Sequence, residues 1–485
     1  MMLNVLKSAL KNKIFWYLAS RYGVMGLQFL TTIFIAVKLG AYYFGIWSFI
    51  ILLTTIGSQF NWGIGSAVTV LCVQHKEDEQ KCLNYIFNSL CLVLFTAVLP
   101  VAVTAYDRFF GIPLFEKYHL NNMVYAVCLL VILQYFANLF INIFRFRNKL
   151  IEVMIQQTLW PVLMFCLIFS ATEKTLLFLL VSGYVSASLL ALAIFVYRSR
   201  KECFKGHFSA ITCRELFGKG FFLFLYNAGF LLIILSTKTM ISSCYPVEEF
   251  GYFSFAFALA NGVNLLLESL LFLAMPKMID LLKGDDKPAI QEAILMMRKN
   301  YLTPLYLLFY MVVAGSIVFF YLLPQYSRSY LPFLLIMFTL VSYSTCFGYN
   351  MYLIAQNREK LLALLVGGGL LLNILAVYFI IAVLKLSFEF AILGTLITYI
   401  IYSFAVNLCA QHLLGDRKPA SFFRVNLPVL QTLLWCATLI LVLLRQHPLW
   451  LLLPLAAYIC CNLSSLKEVG KNVLKLIKND KVLHV

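Results

Sequence analysis

The stretch Phe44-Gly45-Ile46-Trp47-Ser48-Phe49 returns 206 residues later (250 against 44) as Phe250-Gly251-Tyr252-Phe253-Ser254-Phe255. Each copy lies between two long apolar blocks, after the first block in one case and after the seventh in the other. An even number of blocks separates the copies, so both turn on the same side of whatever the blocks cross. The expected architecture is two six-helix halves related by a pseudo-two-fold axis along the membrane normal.

That the blocks cross a membrane follows from composition. Of 485 residues 62% are hydrophobic and 12% charged, with a mean hydropathy of +0.88; a soluble domain carries about 25% charged residues. A water-soluble enzyme is excluded. At ~20 residues per crossing the chain reads as an all-α, polytopic membrane protein of about 14 transmembrane helices. They are expected at roughly 14–37, 43–72, 83–105, 122–144, 152–171, 175–196, 220–244, 249–275, 300–323, 330–355, 360–384, 388–411, 425–444 and 448–464. The halves are then 1–205 and 206–415, and residues 416–485 add two helices and a basic cytoplasmic tail. Lys7, Lys11 and Lys13 look like the start of a signal peptide, but the apolar block that follows is too long for one and reads as a retained first helix.

The net charge of +17 comes from 38 basic and 21 acidic residues. With the amino terminus inside, 29 Lys and Arg fall in inner segments and 7 in outer ones, while Arg21 and Lys238 fall within spans. The positive-inside rule puts both termini in the cytoplasm of a cell inner membrane. Most of the basic excess is topology and contact with anionic lipid, and no nucleic-acid partner is expected. The 13 cysteines lie mainly in apolar blocks or basic loops and give no disulfide framework. No segment between spans exceeds ~20 residues, well short of the ~50 of a small domain, so function must reside in the bundle. Residues 288–299 have the apolar spacing of a short interfacial helix.

Charges inside spans cost at least ~2.5 kcal/mol at a helix centre and mark candidate sites. Arg21, Gln28 and Thr32 share one helical face, and Asn227 and Lys238 share another. Under the 206-residue offset Arg21 corresponds to Asn227 and Thr32 to Lys238, giving one cation and one polar residue at each of two depths. That pattern suits a lipid pyrophosphate, whose hydration Arg and Lys can replace; it also suits two cations snorkelling to opposite interfaces. Asn261, Asn264 and Glu268 form a second polar face, and Gln134, Asn138, Asn142 and Arg145 a third. These line a sugar-binding cavity or hydrogen-bond between helices. Glu268 is a candidate for proton or sodium coupling, or pairs with an inner base. Neither Gly218-Lys219-Gly220 nor Gly470-Lys471-Asn472 is a phosphate-binding loop, and Cys203, His207 and Cys213 lack zinc-ligand spacing. No cofactor and no metal are expected.

The run 21–49, with Lys38-Leu39-Gly40 before Phe44-Gly45, and the run 236–259, with Thr237-Lys238 before Phe250-Gly251, resemble the two halves of Wzx-type polysaccharide flippases. Pro324-Gln325-Tyr326, Gln356-Asn357-Arg358-Glu359-Lys360 and the helix with Asn373 are similar to that family's second half, so the resemblance covers almost the whole chain. Thr237 is a departure, standing where the family often has an acidic residue beside the Lys. The resemblance implies the superfamily shared with multidrug and toxin extrusion transporters. The implied work is to carry a polyprenyl-pyrophosphate-linked oligosaccharide from the inner to the outer leaflet, for O-antigen, capsule or exopolysaccharide synthesis. Implied partners are that lipid-linked substrate, the lipid bilayer, a polysaccharide polymerase and a chain-length regulator. Two other functions stay open from the residues alone. A membrane polymerase or glycosyltransferase would want a sizeable charged outer loop, and the only charged one here holds Asp107, Arg108, Glu116, Lys117 and His119. An ion-coupled drug antiporter would want acids deep in the bundle, where one acid faces two bases.

Overall fold

Hydrocarbon offers no partner for a backbone N–H or C=O, so apolar blocks of this length fold as helices, which satisfy those groups internally. A computed structural model describes residues 13–478 apart from positions 76, 121–122, 148, 171–172, 204, 283, 285, 416–428 and 446; the side chains of 13–21, 264–280 and some other positions also lie outside the description. Among the described residues nine helices are long and apolar enough to cross a membrane. They become ten when the pair Pro324–Ser344 and Tyr349–Ala355, bent by 45°, is taken as one broken span.

One compact unit is formed by Val24–Phe255. It holds most of α1 (Lys13–Gln59), then α2 (Ile64–Gln74), α3 (Glu79–Thr96), α4 (Val98–Phe110), α5 (Pro113–Lys117), α6 (Met123–Phe146), α7 (Leu150–Ser170), α8 (Glu173–Cys203), α9 (Ala210–Cys244) and the start of α10 (Val247–Leu281). Helix α6 packs between α2 and α8, and α9 lies along α2 and α3. The segment joining α8 to α9 is tied down by α3: Asn84 Oδ1 accepts from the His207 amide at 2.9 Å, and fully buried Asn88 bonds the His207 carbonyl and the Ser209 amide, each at 2.8 Å. Tyr85 adds a hydroxyl donated to Glu215 on α9 at 2.9 Å.

The other unit comprises Ala256–Val485 with the chain up to Gly23. It contains α11 (Lys287–Leu322), α12 (Tyr330–Ser344), α13 (Tyr349–Ala355), α14 (Glu359–Tyr378), α15 (Ile392–Leu414), α16 (Val429–Leu443) and α17 (Leu452–Lys478). Helix α15 is the centre, packed on both α12 and α14, while α17 lies along α11. The units divide inside α10, whereas the repeat expected from the sequence divides at 205/206; α9, first in the second half, packs with the first.

Several expected spans differ in detail. The first two are one kinked helix, α1, which bends at Gly40 (φ 67°) and is regular through Gly45. The second stops at Gln59, and the chain unwinds through Trp62 and Gly63, both at positive φ, before α2 resumes it. The expected interfacial segment 288–299 is the first part of α11 itself, and the eleventh span closes with a π turn over Phe379–Val383.

The tenth span is the broken pair. At Gly348 (φ 86°) a Cβ would lie 3.1 Å from Arg298 Cγ, so the break needs glycine for both its backbone and its neighbour. Non-helical backbone at membrane depth is tolerated only where protein satisfies it. Here Arg298, 4% exposed, donates to the carbonyls of Thr345 (2.5 Å) and Phe347 (3.1 Å) and lies 4.8 Å over the Tyr349 ring. From α15, Ser403 donates to the Ser342 carbonyl (2.9 Å) and Gln411 to the Tyr349 hydroxyl (2.6 Å).

Candidate functional site

The two copies of the repeated motif meet. A Cβ on Gly45 would lie 2.3 Å from the carbonyl oxygen of Val247, and a Cβ on Gly251 would lie 1.9 Å from that of Ala41. The 206-residue offset relates Gly45 to Gly251 and Ala41 to Val247, so the two contacts are one contact repeated through a pseudo-two-fold. The rings repeat it as well. Phe44 meets Phe255 edge-on at 6.1 Å and 84°, and its counterpart pair, Phe250 with Phe49, meets at 6.5 Å and 83°. As read from sequence, each copy of the motif turns between two apolar blocks. The structure corrects this: Gly45 and Gly251 are helical, the turns fall at Gly40 and at Tyr245-Pro246, and the missing Cβ permits backbone to approach backbone.

The loop between α4 and α6 fastens this seam. Tyr118 stacks on Phe49 at 3.9 Å, meets Phe250 edge-on at 5.9 Å, and donates to the Ser242 carbonyl at 3.1 Å. Lys117 Nζ donates to the carbonyls of Ser242 (2.7 Å), Ser243 (2.9 Å) and Tyr245 (2.7 Å). These are the otherwise orphan carbonyls at the end of α9, where a cation also meets the negative end of the helix dipole. Burial draws the Lys117 ammonium below the ordinary lysine range. Sequence reading placed Lys117 in the one charged outer loop but gave it no task; nothing in its neighbourhood in sequence announces three carbonyls 125 residues or more away.

Lys238 stands on the same helix, six residues before its end, or about 9 Å at 1.5 Å per residue. It is 8% exposed, and its neighbour Thr237 is fully buried. A cation so placed, on the helix that ends at the seam, is chemically suited to neutralise an anion. On α1, Gln28 is exposed and its carbonyl accepts from Thr32 at 2.8 Å. Asn138 on α6 is half-buried. Its stripe reaches across helices: Gln134 donates to the Tyr184 hydroxyl on α8 (3.1 Å), and Asn142 donates to the Asn138 carbonyl (2.8 Å) with its Nδ2 2.9 Å from where a Gly65 Cβ would be. Tyr184 belongs to an aromatic cluster with Trp160 (4.1 Å) and Trp47 (6.4 Å). Arg145 at the end of the stripe is exposed. In the other unit Asn261 on α10 is exposed. The side chains of Arg21, Asn227, Asn264 and Glu268 lie outside the described residues. Among the described residues no three His, Cys, Asp or Glu side chains cluster as a metal site.

Residues 10–280, more than half of the chain, match a family described as "Polysaccharide biosynthesis protein". Among curated proteins none matches this sequence. Solved structures do. The chain is similar to the lipid II flippase MurJ in an inward closed conformation, at 14% identity and a TM-score of 0.66, over 94% of this chain and 99% of that one. It is also similar to a multidrug resistance MATE family transporter of the MOP superfamily in an inward-facing conformation, at 14% identity and a TM-score of 0.60, over 81% and 94% of the two chains. A second MATE structure, in the straight conformation, matches at 11% identity with a TM-score of 0.53, over 81% and 93%. These likenesses show a shared all-helical membrane fold and bear out the resemblance read from the repeated motif.

Proposed function

The chain belongs to the polysaccharide biosynthesis protein family, and from that premise we propose that it is a flippase for a polyprenyl-pyrophosphate-linked oligosaccharide. It works by alternating access in the cell inner membrane, moving the lipid-linked substrate to the outer leaflet for O-antigen, capsule or exopolysaccharide assembly. The single observation that carries the reading is the buried Lys238 on the helix that ends at the pseudo-symmetric glycine seam. A closed seam at one end and a desolvated cation within the span are what an alternating-access carrier of an anion requires. MurJ, a lipid II flippase, is a precedent on the same fold.

In this reading the seam is the outer closure, both termini are cytoplasmic, and the repeat halves are 1–205 and 206–415. Arg21 and Lys238 take the pyrophosphate at successive depths, with Gln28 and Asn227 as their polar partners. Asn138, Asn261 and Asn264 meet the sugars, and Glu268 couples an ion. Polymerase and chain-length regulator act on the product. The test is surface polysaccharide in a strain lacking the native gene, complemented by Arg21→Ala, Lys238→Ala, Lys238→Arg or Lys238→Glu, with membrane abundance checked by immunoblot. Each Ala variant removes a charge-assisted partner of a buried anion, about 2 kcal/mol or more. Lys238→Arg keeps part of the export and Lys238→Glu abolishes it. Full export from the Arg21→Ala, Lys238→Ala double variant refutes the assignment of both cations.

A further inference from the structure

One cavity among the described residues is lined by none of the residues assigned above to the substrate. It lies within the carboxyl-terminal unit, where the 3-10 turns Pro324–Ser329 and Phe388–Phe390 meet the segment linking α16 to α17. Its volume is about 250 Å³. The floor is apolar and buried, made by Leu331 and Leu334 of α12, Val442 of α16 and Leu451. The mouth carries Arg328, Arg445, His447 and Glu389, with Trp450 beside them and 52% exposed.

The charged groups are held in place. Arg445 Nη2 bonds Glu389 Oε2 at 2.6 Å and its guanidinium lies 6.0 Å over the Phe390 ring, while Arg328 lies 5.3 Å over Phe388. The lining thus brings two guanidiniums and one carboxylate together, and guanidinium forks suit a phosphate oxygen pair. Directly beneath the charge is hydrocarbon. The same vertical order, phosphate then hydrocarbon, describes a phospholipid at the membrane interface, and an exposed Trp at the mouth is the side chain that favours that depth. The volume is below the ~300–1,000 Å³ of sites for drug-sized ligands. A phosphate with its glycerol is nearer the cavity's scale than an oligosaccharide is.

We propose that this pocket is a binding site for the phosphate headgroup of an anionic phospholipid, distinct from the transported substrate. Arg328 and Arg445 engage the phosphate, and the first acyl carbons enter between α12 and α16. Because the walls come from α12, α16 and the turn Pro448–Leu451 that leads into α17, the bound lipid clamps the last two helices onto the unit. The proposal requires a membrane protein but not a flippase, so its test is a binding measurement without transport.

The full-length protein in neutral detergent is titrated with phosphatidylglycerol, phosphatidylcholine and inorganic phosphate, and the thermal midpoint is read. Phosphatidylglycerol raises the midpoint, and phosphatidylcholine and inorganic phosphate at equal concentration do not. Arg328→Gln, and Glu389→Gln with Arg445→Gln to avoid stranding the carboxylate, each weaken the phosphatidylglycerol response about tenfold or more, as loss of a charged hydrogen bond implies. Arg328→Lys retains most of it. With the wild-type protein, phosphatidylglycerol brominated near the headgroup quenches fluorescence in a part that Trp450→Phe removes, a readout that needs no arginine variant to fold. Equal response to phosphatidylcholine, equal response to inorganic phosphate, unchanged affinity in the arginine variants, or quenching unaltered in Trp450→Phe overturns the proposal.

Discussion

Replacing Gly251 by Ala places a Cβ 1.9 Å from the Ala41 carbonyl oxygen, 2.9 Å from its carbon and 3.2 Å from the Gly45 nitrogen. Ordinary contact begins at 3.4 Å, so the two segments must part by about 1.5 Å. The obstructing atom is backbone within α1 and has no rotamer to escape into. Overpacking of this kind costs ~1–3 kcal/mol. If the seam absorbs the whole cost, its closed state loses roughly 5- to 150-fold in population relative to an open one. Ser48, 7% exposed, lies in the first copy of the motif and reports that opening. A Ser48→Cys protein lacking its 13 native cysteines is labelled in intact cells with an impermeant maleimide. Adding Gly251→Ala is expected to raise the labelling rate at least about fivefold and to lower surface polysaccharide. Gly45→Ala, facing Val247, acts alike, while Gly26→Ala, with nothing within 4 Å of its Cβ, changes neither readout. Unchanged labelling in Gly251→Ala at normal membrane abundance refutes the idea that the glycines are there for close approach.

Lys117→Met strips three carbonyls at the end of α9 of their donor and is expected to cost about 1–2 kcal/mol, read as a lower thermal midpoint in detergent; an unchanged midpoint means water replaces the ammonium. Arg298→Met takes the guanidinium from the Phe347 carbonyl and leaves the Thr345 carbonyl with the Asn407 amide at 3.4 Å, a loss of ~1–3 kcal/mol, and Arg298→Lys recovers part of it on the same thermal scale. Asn88→Ala removes two of the three bonds described between residues 207–209 and α3, leaving that of Asn84, about 2 kcal/mol, and in inside-out vesicles trypsin is expected to cut at Lys205 faster than in wild type. Should the cutting rate stay the same, that segment is held by something other than Asn88.

The membrane fold and the paired contact of the repeated motif were legible because both leave periodic traces. Apolar blocks have a length set by the bilayer, and the motif at 44–49 and 250–255 repeats because two chain segments must cross at van der Waals distance. What glycine does at the crossing was not legible, since the same residue serves a turn at Gly40 and a close approach at Gly45. The break at 345–348 also left little trace: Thr345-Cys346-Phe347-Gly348 reads as continuing apolar helix, and the carbonyls that need donors carry no mark in sequence. Arg298 passed as one more base beside Lys299. A cation buried among carbonyls and a cation facing cytoplasm are the same letter, and only packing tells them apart. For the candidate site, the in-span position of Lys238 was equally consistent with a cavity and with snorkelling, and its burial was not legible, while Gln134 and Tyr184 show that a polar stripe also serves to join helices.

Arg298 carries an implication for how the chain is made. Its acceptor at Thr345 is 47 residues further along, so at a synthesis rate of ~5–20 residues per second roughly 2–9 seconds separate the two as they leave the ribosome. During that interval α11 holds a guanidinium with no carbonyl to receive it. The packing of that end of α11 is therefore complete only once α12 and α13 have been made, and the three helices depend on one another for it.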